Sequence, residues 1–442
     1  MGGLDLNSNE TVYVLLIIAI CSMILMNNVF SRRYFDFWSP LTMISLTYLY
    51  YAVAGPLLAI SNDDTVVRFV NHRPFFEVAW LGTLLSLGGI VVGFNLQKSK
   101  LPGGRIIETP PLQIKKWAKL FFIYGFLGII VAFGTSGITN INFIGGSEAL
   151  ERNQTAGSFA NYFLFMMNFL IISATLLIIA LKKKEVTMIW LVAVVAYAIA
   201  IYTSLGFRYR LVLLIWSMMG AYYLYIRKKP NLVLLGSFGI VFIIVMGIIG
   251  LTRTYFGGLR GLDKIDDKSN QELFESGFSE AQIFMTTGLM LTNVPDKVDN
   301  IGFQPIIEAI AMPIPRIIWP SKPSGESLQN IFAIYEVETG ISDVGAGAAI
   351  MNFGENYLMF GWVGVFVGAV LLGWLSKKFW NYFLDNHNNV LYIAFYAIFN
   401  SFLYVIISRG YLPQVVMNFF FTVYPLMWVA KRQRLKYAKG RL

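Results

Sequence analysis

Arginine recurs in the short connections between long apolar runs. GFRYR at 206–210 carries Arg208 and Arg210, RTYFGGLRG at 253–261 carries Arg253 and Arg260, and SRG at 408–410 carries Arg409. A further stretch, PIPRIIWPSKP at 313–323, adds Arg316 and Lys322 beside Trp319. A guanidinium is a planar fork that grips phosphate oxygens in pairs. Arginines at the ends of membrane helices stand where the phosphate of a lipid would arrive. These residues are therefore read as one anion-binding set. For any single member the alternative is snorkelling to headgroups or pairing with a nearby carboxylate.

The prolines at 313, 315, 320 and 323 forbid a regular helix and pre-set extended or turn geometry, which would hold Arg316 and Lys322 in place. Next comes GISDVGAGAAIMNFGENYLMFGWVG at 340–364, rich in glycines that permit tight turns and close helix contact. Within it, Glu355 opens an apolar run. A partly buried carboxylate there is a candidate general base, and an ion pair with one of the arginines is the equal alternative. His72 and His387 are too few for a histidine-rich metal site, and His72 in NHRP is read as a loop residue. The acid pairs Asp63–Asp64 and Asp266–Asp267 are read as solvated. No phosphate-cradling loop, zinc spacing or nucleotide fingerprint occurs, so no metal or other cofactor is expected. Nor does anything point to nucleic acid.

What positions such residues follows from composition. Of 442 residues, 56% are hydrophobic and 14% are charged, where a soluble domain has about 25% charged. That excludes a soluble enzyme and a disordered chain. The apolar residues come in unbroken runs and not in alternation, which excludes an outer-membrane barrel. The fold expected is all-α and polytopic. Runs long enough to cross a bilayer lie near 11–30, 39–60, 76–95, 117–134, 159–181, 186–204, 210–226, 231–251, 356–375, 389–408 and 411–430. That makes about eleven transmembrane helices in a single integral membrane domain, 1–442. The acidic start MGGLDLNSNE has no basic n-region, so the first run is expected to be retained as a span. The lone Cys21 allows no internal disulfide.

Charge gives the orientation. Every other connection is basic, as is the tail KRQRLKYAKGRL, so the tail is expected inside and the N-terminus outside. The inside segments then hold 22 Lys and Arg against 4 Asp and Glu, and the outside segments 13 against 21. Nine of the 13 outside basic residues are arginine, whereas 15 of the 22 inside are lysine. Topology needs only positive charge, so the outer face looks selected for anion recognition. One outside segment, 252–355, is long. It contains the weaker apolar stretches 281–294 and 303–320, expected as short interfacial or re-entrant helices. If both crossed, the count would be thirteen with both termini unmoved.

The many-span layout, the long late outside loop, PIPRIIWPSKP and then GAGAAIMNFGENYLMFGWVG together resemble the bacterial Wzy-type polymerases of O-antigen and other oligosaccharide repeat units. The resemblance covers the whole topology, with its residue-level support in 313–364. It implies a multi-pass enzyme of the bacterial cytoplasmic membrane, with its active site facing the periplasm or cell exterior. It implies a substrate too, an oligosaccharide on undecaprenyl diphosphate. The growing glycan would pass from its lipid carrier to the non-reducing end of a new lipid-linked unit, giving O-antigen, capsule or exopolysaccharide. A flippase and a chain-length regulator are the partners implied. By motif the arginine role falls on Arg316 and Lys322; Arg208, Arg210, Arg253, Arg260 and Arg409 come from the topology. Fixed arginines would stabilise the leaving diphosphate without metal, Glu355 would take the acceptor proton, and Trp319 would offer a face for sugar.

Three other readings compete. An outer-face lipid-phosphate-sugar transferase of the GT-C type typically carries an acidic residue in its first external loop, but the first connection here, SRRYFDFW, is inside by charge. An O-antigen ligase shares the plan, but that family usually relies on a histidine in the late outside loop, and 252–355 has none. A glycolipid flippase or exporter would bind the same anion and form no bond; such transporters often show symmetric halves, which this sequence lacks.

Overall fold

All eleven apolar runs are helical. The structure, a computed structural model, describes residues 6–98, 112–139, 160–204, 208–254, 269–315, 318–323, 325–341 and 348–439. The helices are α1 Ser8–Phe30, α2 Pro40–Tyr48, α3 Gly55–Ser61, α4 Phe76–Asn95, α5 Leu112–Thr139, α6 Ala160–Met166, α7 Phe169–Lys182, α8 Met188–Ser204, α9 Arg208–Ile226 and α10 Leu232–Thr254. After them come α11 Asn270–Ser276, α12 Gln282–Asn293, α13 Gln304–Ala311, α14 Glu326–Thr339, α15 Asn352–Leu384, α16 Val390–Ser408, α17 Leu412–Thr422 and α18 Tyr424–Lys439. Strand among the described residues is limited to the short pair β1 Val66–Val67 and β2 Val70–Asn71. Nine helical segments in the described residues are long and apolar enough to cross a membrane, and α8 is a shorter apolar helix. The remaining run, 117–134, lies within α5. The protein is an all-α polytopic membrane protein.

Local sequence sets the helix ends. Asn7 and Glu10 form a capping box at the start of α1. Glu10 also receives Arg73 Nη2 at 2.8 Å, which ties the head of α1 to the head of α4. Between α2 and α3 the chain widens into a π-helical segment, Leu49–Ala54. Pro56 has no N–H to give to the Ala52 carbonyl at i−4, and the Trp80 indole N–H donates to that oxygen instead, at 2.7 Å.

Central to the bundle is α16, of which every residue except Ile406 is buried. Its polar residues bind neighbours: Tyr396 Oη and Asn400 Nδ2 donate to the Trp38 carbonyl at 2.6 and 3.0 Å, and Trp216 Nε1 donates to Asn400 Oδ1 at 2.8 Å. The most extensive helix pair is α4 with α15. A Cβ on Gly93 would lie 1.9 Å from the Val370 carbonyl oxygen, and one on Gly373 would lie 2.1 Å from that of Ile90. Only glycine admits so close a backbone approach.

Helix α15 is broken near its start. Gly361 has φ +61 and ψ −151, a conformation that L side chains rarely adopt, and it separates a short head bearing Glu355 from the long body of the span. Helix α12, from the weaker apolar stretch at 281–294, has 12 residues. At about 1.5 Å per residue that is too short for a bilayer core of about 30 Å. It is buried against α4, α15 and α14. Helix α13 is shorter still and ends in turns at Met312–Ile314.

Candidate active site

Two of the arginines singled out in the sequence converge on one carboxylate. Arg208, the first residue of α9, places Nε 3.9 Å from Glu280 Oε1. Arg409, the residue after α16, places Nη2 3.7 Å from Glu280 Oε2. Both separations exceed hydrogen-bond length, so neither guanidinium is gripped in the bidentate way it allows. Arg208 spends Nη1 on Ser279 Oγ at 3.0 Å, and its Nε is buried without a hydrogen-bond partner. Glu280 sits on a single 3-10 turn, Ser279–Ala281, just ahead of α12.

Tyrosines hold this carboxylate from the other side. Tyr51 Oη donates to Glu280 Oε2 at 2.9 Å and lies 2.7 Å from Tyr404 Oη. With its own proton on Glu280, Tyr51 must accept from Tyr404, which makes a short relay of hydroxyls. Tyr50 donates to the Gly277 carbonyl and stacks on Phe278. Both Tyr50 and Tyr51 lie in the π-helical segment, so the turn widened beside Pro56 carries both contacts to the 277–280 connection.

Arg210 joins by a second route. It is buried, and its Nε donates to Asn168 Oδ1 at 2.8 Å. Asn168 stands at the break between α6 and α7 and donates to Asn418 Oδ1 and Thr422 Oγ1, both at 3.0 Å. The Tyr209 ring is approached by both guanidiniums, with Arg210 5.1 Å and Arg409 5.8 Å from its centroid. Arg208 and Arg409 thus meet at one carboxylate, and Arg409 and Arg210 meet at the electron-rich ring of one tyrosine. The sequence singled out these arginines as candidates but neither Glu280 nor Asn168, which the structure brings against them.

Glu355 fixes Arg409 through the backbone. Buried at the head of α15, it accepts the Leu412 N–H with Oε1 at 2.8 Å and Oε2 at 3.0 Å. Gly410 N–H donates to the Ile350 carbonyl at 2.7 Å. The connection that holds Arg409 is therefore laced at both ends to residues 350–355. A carboxylate also suits the unpaired N–H groups at the start of α17. Among the described residues, its hydrogen-bond partner is that N–H and not an arginine.

Residues 4–436 match the sequence model of the family O-antigen polysaccharide polymerase Wzy. The chain belongs to that family. No curated protein and no solved structure matches it significantly. Family membership makes this a polysaccharide polymerase of the glycosyltransferase type, and it favours that reading over a ligase or an exporter.

The other residues singled out in this Wzy chain fare differently. Lys322 donates to the Met312 and Ile314 carbonyls at 2.9 and 2.6 Å and lies 3.3 Å from Tyr162 Oη, so its ammonium pins the turn after α13. Trp319 is 37% exposed on the same connection. Arg316 and Arg260 lie outside the described residues, as does the side chain of Arg253. His72 is buried. Nδ1 faces the Val70 carbonyl at 2.8 Å and Nε2 faces Tyr335 Oη at 3.1 Å, so the ring bridges the β1–β2 hairpin to α14. Burial holds its pKa below the usual histidine value.

Proposed function

We propose that the Arg208–Arg409–Glu280 cluster is where this polymerase receives the diphosphate of a lipid-linked glycan and transfers the glycan to a new lipid-linked unit. The observation that carries the reading is the convergence of two arginines from different helix ends on one carboxylate that neither holds by a hydrogen bond. A diphosphate offers oxygens that those forks can grip. In the transfer, an acceptor hydroxyl oxygen bonds to the anomeric carbon while the bond from that carbon to the phosphate oxygen breaks. The bonding pair leaves with the diphosphate, where Arg208 and Arg409 offset the developing charge in a site of low dielectric. The hydroxyl proton goes to Glu280, which the incoming diphosphate has released from its two cations.

In this reading Arg210 sustains the positive field from its seat on Asn168, and Glu355 is a positioning residue for Arg409. Arg316 stays a further candidate phosphate ligand on the strength of the proline-rich motif alone. Undecaprenyl diphosphate is the carrier the family resemblance implies, with a flippase supplying units and a regulator setting chain length. The division of charge, basic on one side and acidic on the other, supports a site facing away from the cytoplasm across the bacterial inner membrane. The test is bond formation. Purified protein in lipid, given lipid-linked repeat units and nothing else, should yield a ladder of longer lipid-linked glycans. Units that stay single would remove the reading.

A further inference from the structure

Beside the arginine cluster lies a cavity of about 150 Å³, between the end of α3 and the 275–285 connection. Its walls differ in kind from the cluster. Asp64, Glu275, Asn62 and Gln282 supply oxygen acceptors and amide donors, and among the described residues no lysine or arginine lines it. Phe278 adds an aromatic face whose angle is set by stacking on Tyr50, with ring centroids 5.2 Å apart. Asn62 Nδ2 donates to Glu275 Oε2 at 3.0 Å, so the polar wall is already ordered. The cavity and the cluster share a wall: Ser279 lines the cavity and accepts Arg208 Nη1. Glu280 lies between two lining residues in sequence, Ser279 and Gln282.

The two carboxylates of the described wall repel phosphate. Convergent acceptors and amides around one aromatic face suit a hydroxyl-rich, uncharged ring. We infer that this cavity seats the terminal sugar of the acceptor glycan and presents its hydroxyl to Glu280, while the donor diphosphate lies on the arginines. The inference rests on the polymerase reading above and divides its two substrates between two chemically distinct neighbours.

Cysteine protection tests it. The native Cys21 is buried, so a cysteine placed at an exposed lining position is the thiol a maleimide reaches. The variants are Gln282→Cys and Asn62→Cys, with Val66→Cys in the exposed hairpin as control. The probe is the oligosaccharide released by mild acid from the cell's own lipid-linked units. At about four times its dissociation constant it should slow labelling of both cavity cysteines about fivefold, since the free fraction falls as 1 + [L]/Kd. The control should be unaffected. Unchanged labelling at oligosaccharide concentrations that inhibit chain extension by the wild-type protein overturns the assignment. So does equal protection by inorganic diphosphate, which would make the cavity an anion site. Failure of the wild-type protein to lengthen lipid-linked units is a separate result, read without any variant, and it bears on the polymerase reading alone.

Discussion

Replacing Glu280 with glutamine separates the two duties proposed for it. Glutamine keeps the size of the side chain and an oxygen that can accept from Tyr51, but it removes the charge that two arginines share. In the resting protein that charge is an internal competitor for any anion that comes to Arg208 and Arg409. Its contacts are long, 3.7 and 3.9 Å, and the side chains keep some solvent contact, with Arg409 at 25%, Glu280 at 14% and Arg208 at 10%. Each contact is therefore set near the upper end of the exposed range, about 1 kcal/mol, well below a desolvated pair. An incoming diphosphate forfeits both, about 2 kcal/mol in all. At about 1.4 kcal/mol per tenfold, Glu280→Gln should bind inorganic diphosphate about thirtyfold more tightly than wild type. Transfer should move the other way. Loss of the proton acceptor should slow it by roughly two to four orders of magnitude. Calorimetric titration of protein in lipid nanodiscs gives the first quantity, and quantified glycan ladders give the second. Weaker diphosphate binding, or a ladder formed at the wild-type rate, would refute the reasoning.

Three further outcomes follow from the same geometry. Arg409→Lys should insert and fold normally yet lose about a hundredfold or more in chain extension, as happens when one donor to a developing oxyanion is removed; near-normal ladders would show that a point charge suffices. Glu355→Gln keeps an acceptor for the Leu412 N–H and should retain extension within a few-fold, whereas Glu355→Ala should lower thermal stability by about 0.5–2 kcal/mol and loosen Arg409; a Gln variant slowed a thousandfold would return the role of base to Glu355. Because burial keeps His72 neutral, the unfolded chain takes up that proton first, so the stability this residue contributes is full above about pH 6.5 and declines as pH falls towards its lower folded value; His72→Phe should flatten that acid limb in thermal unfolding, and an unchanged limb would assign it elsewhere.

Much of the architecture is legible in the residues because a bilayer demands long apolar helices, and each of the eleven runs is helical. The arginine ends of α9 and α16 are legible for a related reason: arginine where topology disfavours positive charge needs an explanation. Glu280 carries no such mark. It is one of 21 acidic residues in the segments expected outside, and its partners are far away in sequence, at 208 and 409. What could have found it is its place in GFSEAQIF, an acid at the mouth of an apolar stretch too short to span. Asn168 within FMMNFL was open to the same logic, since a polar side chain inside a membrane run needs a partner. Glu355 was legible as a buried acid but not as the partner of Leu412, because a backbone N–H leaves no trace in sequence. Lys322 looked like a phosphate ligand, but its ammonium bonds the Met312 and Ile314 carbonyls and Tyr162 Oη at the turn after α13.

The helix breaks explain why the cluster forms where it does. An unbroken α2–α3 would carry Tyr50 and Tyr51 in ordinary α-helical register; the π-helical segment beside Pro56 is where both reach the 277–280 connection. An unbroken α6–α7 would leave Asn168 as a helical residue amid apolar neighbours, whereas the break is where it meets Arg210. At Gly361 the break frees the head of α15 to receive Leu412, and so fixes the residues that follow Arg409. Each interruption sacrifices regular helix hydrogen bonds at membrane depth, which is tolerable only where protein supplies the replacements. Here one break brings Tyr51 to Glu280, a second brings Asn168 to Arg210, and a third brings Glu355 to the backbone that follows Arg409. What the breaks add is two cations, Arg208 and Arg409, held near a carboxylate that neither grips by a hydrogen bond.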